Sequence, residues 1–144
     1  MTQQWSEESI ELAGRLFDMA RDGDTETLRA YLEQGLKRNL RNGKGDTLLT
    51  LAAYYKHADT VAMLIEQGVD VTAVNDRGQD ALGCATFRQD TAAMKALLAA
   101  GADPDAGSPS AREVARQFGL NEMLAVLDEP PTGREQGSDG PETA

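Results

Sequence analysis

Three stretches of the chain carry apolar residues three and four apart and end in glycine. They are Leu28, Tyr31 and Leu32 before Gly35; Val61, Leu64 and Ile65 before Gly68; and Met94, Leu97 and Leu98 before Gly101. That spacing puts side chains on one face of an α-helix. Glycine is the residue expected just past a helix end, where φ must be positive. The three glycines stand 33 residues apart both times. The same offset pairs Thr47 with Asp80, Leu49 with Leu82, Ala52 with Ala85 and Asp70 with Asp103. This many matches in one register identify an internal repeat.

Within a unit the pattern predicts a helix, a tight turn, a second helix and an extended loop. Thr47 and Asp80 are placed to N-cap first helices, their side-chain oxygens accepting a free backbone N–H. Ser110 to Glu113 has the form of a capping box and opens a last first helix. Second helices are expected from about Ala58 to Gln67 and from Asp90 to Ala100. Ala52, Ala53, Ala85, Ala92, Ala93 and Ala96 fall where helices must approach closely. Neither helix of a pair can bury its apolar side alone, so units must stack into one continuous core. The first unit opens with an amphipathic helix, with Ile10, Ala13, Leu16, Phe17 and Ala20 inward and Glu7, Glu8, Glu11, Arg15 and Asp18 in water.

These residues resemble ankyrin repeats. Where that family reads G-x-T-P-L-H-x-A-A, this chain has Gly45-Asp46-Thr47-Leu48-Leu49-Thr50-Leu51-Ala52-Ala53. Gly68-Val69-Asp70-Val71 and Gly101-Ala102-Asp103-Pro104-Asp105 match the family's G-A-D-V-N. The resemblance covers roughly residues 11–127. The turn proline is replaced by Leu48 and Ala81, and its histidine partner by Thr50 and Gly83, losses expected to weaken the local hydrogen bonding. The resemblance implies an all-α solenoid of about four stacked helix-turn-helix units with short hairpin-like loops. The units run at about 6–40, 41–73, 74–106 and 107–128, and an acidic, disordered tail fills 129–144.

In the resembled family, partners are usually held on the concave face formed by loop tips and first helices. Carried over by position, the loop tips are Gly43, Lys44 and Asp46, then Asp76, Arg77 and Gln79. The helix positions are Arg21 and Asp22, Tyr54 and Tyr55, Phe87 and Arg88, and Gln117 and Phe118. From these, Lys44, Asp46, Tyr54, Tyr55, Arg77, Gln79, Phe87, Arg88 and Phe118 are the expected partner-binding residues. The chain has only three Tyr and three Phe, and four of those six stand here. Such residues dominate interfaces because they bury large area at small entropic cost; an aromatic here can also serve only to pack on the next unit. Three or four units offer on the order of 800 Å² to a partner.

Composition narrows the reading. The net charge of −10 argues against general affinity for nucleic acid or anionic membrane. Lys37, Arg38, Arg41 and Lys44 nevertheless form a basic loop, with Arg77, Arg88 and Lys56 expected on the same side. Either they make a positive, aromatic-lined groove suited to an acidic epitope, or they are scattered charges on a solvated loop. No apolar run approaches the roughly 20 residues that span a bilayer, and the first eight residues carry no secretory pattern. With Cys84 alone no internal disulfide forms, and the reducing cytosol is the expected home.

His57 is the one histidine and stands where the ankyrin pattern commonly places it, at the start of a second helix, so a structural role is expected. Cys84 reads as a packed thiol. No zinc-ligand set exists, and Gly43-Lys44-Gly45 departs from a phosphate loop because glycine follows the lysine. No catalytic residue, metal or cofactor is expected. The leading expectation is an adaptor or regulator, monomeric and similar to small stand-alone bacterial ankyrin proteins, that grips a cytosolic protein. The alternatives are nucleic-acid binding through loop 37–44, an inhibitory subunit of an enzyme, and, least favoured, a small enzyme using His57 or Cys84.

Overall fold

The computed structural model describes residues 7–129. Eight helices run in chain order through them: α1 Glu7–Asp22, α2 Thr25–Glu33, α3 Leu48–Tyr54, α4 Ala58–Glu66, α5 Ala81–Phe87, α6 Thr91–Ala99, α7 Ala111–Gln117 and α8 Asn121–Asp128. The tail expected over 129–144 lies outside the described residues from 130 onward. Each pair is antiparallel across a tight turn. First helices α1, α3, α5 and α7 pack in one layer, and second helices α2, α4, α6 and α8 in another. The all-α solenoid expected from the repeat is the architecture observed.

The core lies between the layers. Leu28, Leu32, Leu48, Val61, Leu64, Leu82, Met94 and Leu97 are completely buried, with Ala52, Ala53, Ala85 and Ala93 at the close helix approaches. Ala92 instead faces solvent: it stands one position, about 100° around the helix, from buried Ala93. Ile10 also departs from expectation, at 59% exposed. Helix α1 has 16 residues and its neighbour α3 only seven. At 1.5 Å per residue its first turns outrun the partner, and burial in α1 is confined to Leu16, Phe17 and Ala20.

Gly35, Gly68 and Gly101 all have φ between +84° and +100°, as their helix-end positions require. The inter-helix turn is equally regular, with positive φ at Gly23, Lys56, Gln89 and Gly119. The caps correct one expectation. The Thr50 hydroxyl accepts the Thr47 N–H at 2.8 Å while the Thr50 N–H donates back to the Thr47 hydroxyl at 3.1 Å. Threonine therefore supplies a reciprocal cap where the loss of histidine was expected to weaken the local hydrogen bonding. Ser110 and Glu113 form the same box. Asp80 caps through one arm only, accepting the Gly83 N–H at 2.8 Å, because glycine has no side chain to return.

Links between units hold the stack in line. The His57 ring bonds the Arg21 carbonyl through Nε2 at 2.6 Å, which ties the second unit to the first and accounts for the chain's single histidine. The Thr25 and Thr60 hydroxyls meet at 2.7 Å between α2 and α4. The loops are short hairpins closed around asparagines. Asn42 Oδ1 accepts the Lys44 and Asp46 N–H groups, and Asn75 Oδ1 accepts those of Arg77 and Gln79. Successive hairpins join by the Asp76 N–H donating to the Lys44 carbonyl at 3.0 Å and the Ser108 N–H to the Gly78 carbonyl at 2.9 Å.

Candidate binding groove

Hairpin tips on one side and the C-terminal ends of the first helices on the other enclose a groove of about 750 Å³. Its floor follows from repetition. The third and fourth residues of α3, Thr50 and Leu51, and of α5, Gly83 and Cys84, line it, as does Val114, the fourth of α7, whereas Glu113, the third of α7, does not. One helical turn later, on the same face, come Tyr54, Phe87 and Gln117, then Tyr55 and Phe118, while Arg88 at the matching position stays outside the lining. The capping residues therefore set which side chains look into the groove.

The aromatic residues form a continuous ladder across three units. The Tyr54 ring stacks parallel to Phe87, with centroids 6.5 Å apart, and meets Tyr55 edge-on at 5.1 Å. Phe87 in turn meets Phe118 edge-on at 5.5 Å. The Arg88 guanidinium lies 5.4 Å from the Tyr54 centroid, a cation–π distance. Despite these mutual contacts Tyr55, Phe87 and Phe118 remain 44%, 42% and 55% exposed. Contiguous exposed apolar surface of this kind marks interaction sites.

The expected partner-binding residues largely converge here. Lys44, Asp46, Tyr54, Tyr55, Arg77, Gln79, Phe87 and Phe118 line the groove; Arg88, expected with them, is not a lining residue and instead lies over the Tyr54 ring. Asp46 and Gln79 also brace the hairpins, since the Asn75 amide donates to their side chains at 2.8 and 2.9 Å. Arg21, expected on this face by position though outside that set, lines the groove too, and so do Leu51, Gly83, Cys84 and Val114, which were not expected. Their signal was the 33-residue register, in which Leu51 and Cys84 sit one step beyond the capping position.

The basic loop divides. Arg38 donates to the Gln67 carbonyl, and Arg41 to the carbonyls of Gly45 and Val74. Of Lys37, Arg38, Arg41 and Lys44, only Lys44 lines the groove. Arg21 and Arg77 join it there, and Asp46 is the one carboxylate among the lining residues. Arg21 is shared with exposed Asp18 at 2.6 Å. Burial, then the nearby Asp80 and Asp46 charges, push the Cys84 thiol up to about 12. It is thus a neutral, apolar element of the floor. Among the described residues no cluster of His, Cys, Asp and Glu is placed to hold a metal ion, and no helix is long and apolar enough to cross a membrane.

Comparison with known proteins agrees with this architecture. A profile described as ankyrin repeats, in three copies, matches residues 16–108. A protein of Pseudomonas aeruginosa described as an ankyrin repeat protein is 54% identical over 56 residues, 39% of this chain and 33% of that protein's length. The chain thus matches only a third of this relative. With the helix pairs, the glycine register and the profile match in agreement over most of its length, the chain belongs to the ankyrin-repeat family.

Proposed function

We propose that this protein is an adaptor or regulator that binds another protein in its concave groove, and that the partner presents an acidic segment. Ankyrin repeats are generally protein–protein interaction modules. The observation that carries the finer reading is the exposed ladder Tyr55–Tyr54–Phe87–Phe118, fixed on rigid helix ends beside Arg77 and Lys44. Aromatic anchors rimmed by charge supply the buried centre and steering field of a specific interface. Arg21, Lys44 and Arg77 against Asp46 leave the groove positive within a chain of net charge −10. That contrast supports an acidic rather than a basic partner. We take the protein to act as a cytosolic monomer, inhibiting or scaffolding what it holds.

Affinity capture from bacterial lysate, comparing the natural sequence with Tyr54→Ala/Tyr55→Ala/Phe87→Ala, tests the site. A protein lost from the triple variant while its helical circular dichroism persists is the expected result. Retention of every captured protein would remove the groove assignment. The pair Lys44→Glu/Arg77→Glu tests charge separately: unchanged affinity for the captured partner at low salt would remove the acidic segment.

A further inference from the structure

We propose that Gly83 holds open a recess in the groove floor that receives one aliphatic or aromatic side chain of the partner's acidic segment. This rests on the groove being the docking face, and it names what the partner must offer there. The row of third residues along the first helices reads Thr50, Gly83, Glu113. Its outer members return a side-chain hydrogen bond to their caps, Thr50 to the Thr47 N–H and Glu113 to the Ser110 N–H. The middle unit forgoes that bond and also carries glycine inside a helix, where it is the least favourable residue after proline.

Crowding at this position comes from the cap alone. A Cβ built on Gly83 would stand 3.1 Å from the cap carboxylate, Asp80 Oδ1, a tight contact that the carboxylate must yield to by a few tenths of an ångström; nothing else lies within 4 Å, and φ is not positive. The unfilled space opens among groove-lining residues: Leu51, neutral Cys84 and Val114 below, with Phe87 one turn along the same face. The rim carries Lys44 and Arg77. An apolar side chain flanked by carboxylates matches a recess lined by Leu51, Cys84 and Val114 under a rim where Arg21, Lys44 and Arg77 outnumber Asp46. A half-made cap and a glycine inside a helix are local rules broken where the groove opens, as happens at functional sites.

The test uses the full chain and fluorescein-labelled peptides carrying two glutamates on either side of one varied residue: Ala, Leu, Phe or Lys. Binding is read by anisotropy, and location by amide shifts in ¹H–¹⁵N spectra. The Leu or Phe peptide should bind about tenfold more tightly than the Ala peptide, and shift Gly83 and Cys84. Gly83→Thr, which copies Thr50, should raise the urea midpoint and abolish the preference. A lowered midpoint would overturn the proposal, because glycine would then be serving the fold. So would a preference that survives Gly83→Thr. Acidic peptides that shift Lys44, Tyr54 and Phe87 without discriminating the varied residue would overturn the recess and leave the groove standing. No groove shifts with any of the four peptides would remove both.

Discussion

Replacing Lys56 and Gln89 by glycine should stabilise the protein, although neither change adds a contact. Both residues turn the chain between the helices of a unit, at φ +62° and +58°. The equivalent positions of the first and last units are Gly23 at +74° and Gly119 at +64°. A left-handed conformation costs an L-residue about 1–2 kcal/mol. Glycine removes that cost but gives the unfolded chain more freedom, returning about 0.5–1 kcal/mol. The net expectation is about 0.5–1 kcal/mol per site. The two turns are 33 residues apart and should add. The turn hydrogen bonds, from the Lys56 N–H to the Ala53 carbonyl and the Gln89 N–H to the Thr86 carbonyl, are backbone bonds that glycine retains. Both side chains are exposed. Urea unfolding of each single variant and the double reads the effect as a raised midpoint at constant m; by heat, the double should gain about 4–8 °C. Gly119→Ala is the converse control, because a Cβ there meets nothing within 4 Å. It should lose about 0.5–1 kcal/mol from backbone strain alone. Lowered midpoints in both glycine variants, or a Gly119→Ala no less stable than the natural sequence, would refute the reasoning.

Other perturbations test other parts of the stack. Gly78→Ala combines a φ of +77° with a Cβ 2.5 Å from the Ser108 carbonyl oxygen. It should cost about 2–4 kcal/mol in urea by straining the turn and displacing the inter-hairpin bond. Burial raises the pKa of Asp80, outweighing the Gly83 N–H that favours its charge. Stability tied to its neutral form is therefore present below the ordinary carboxyl pKa and lost as pH rises through the raised one. Asp80→Asn, which still accepts that N–H, should gain stability over the natural sequence at neutral pH, with the advantage shrinking as pH falls through the carboxyl range. A pH series of urea midpoints measures this. For Cys84, moved from 9.0 to about 12, thiolate at pH 8 is depleted by about a thousandfold. Disulfide-exchange reagents should label it slowly in the native protein and promptly in urea; equal rates would place the thiol outside the core.

The share of the fold that was legible in the sequence rested on backbone requirements recurring at one period. Gly35, Gly68 and Gly101 mark helix ends because positive φ excludes most side chains, and Thr47, Asp80 and Ser110 mark helix starts because short oxygens reach the free N–H groups. These are local constraints, so the letters carry them. Ile10 escaped for the opposite reason. Its apolar spacing is sound, and its exposure follows from α1 outrunning α3, a comparison of lengths between helices separated in sequence. Asn42 and Asn75 carry a local signal of the same kind as those glycines and caps: both sit at the same offset in the register and both fold a hairpin around a side-chain carbonyl.

The sequence by itself determined a stack of helix pairs and its register, and the family resemblance pointed from there to positions that line the groove. Tertiary structure alone decided how those positions were used. It stacked Tyr54 on Phe87, turned Arg38 and Arg41 toward backbone carbonyls while leaving Lys44 at the rim, and set Asp46 and Gln79 to bracing hairpins through Asn75. Periodicity specifies a direction from the helix axis, whereas partnership depends on which atoms a neighbouring unit brings within hydrogen-bonding or van der Waals distance.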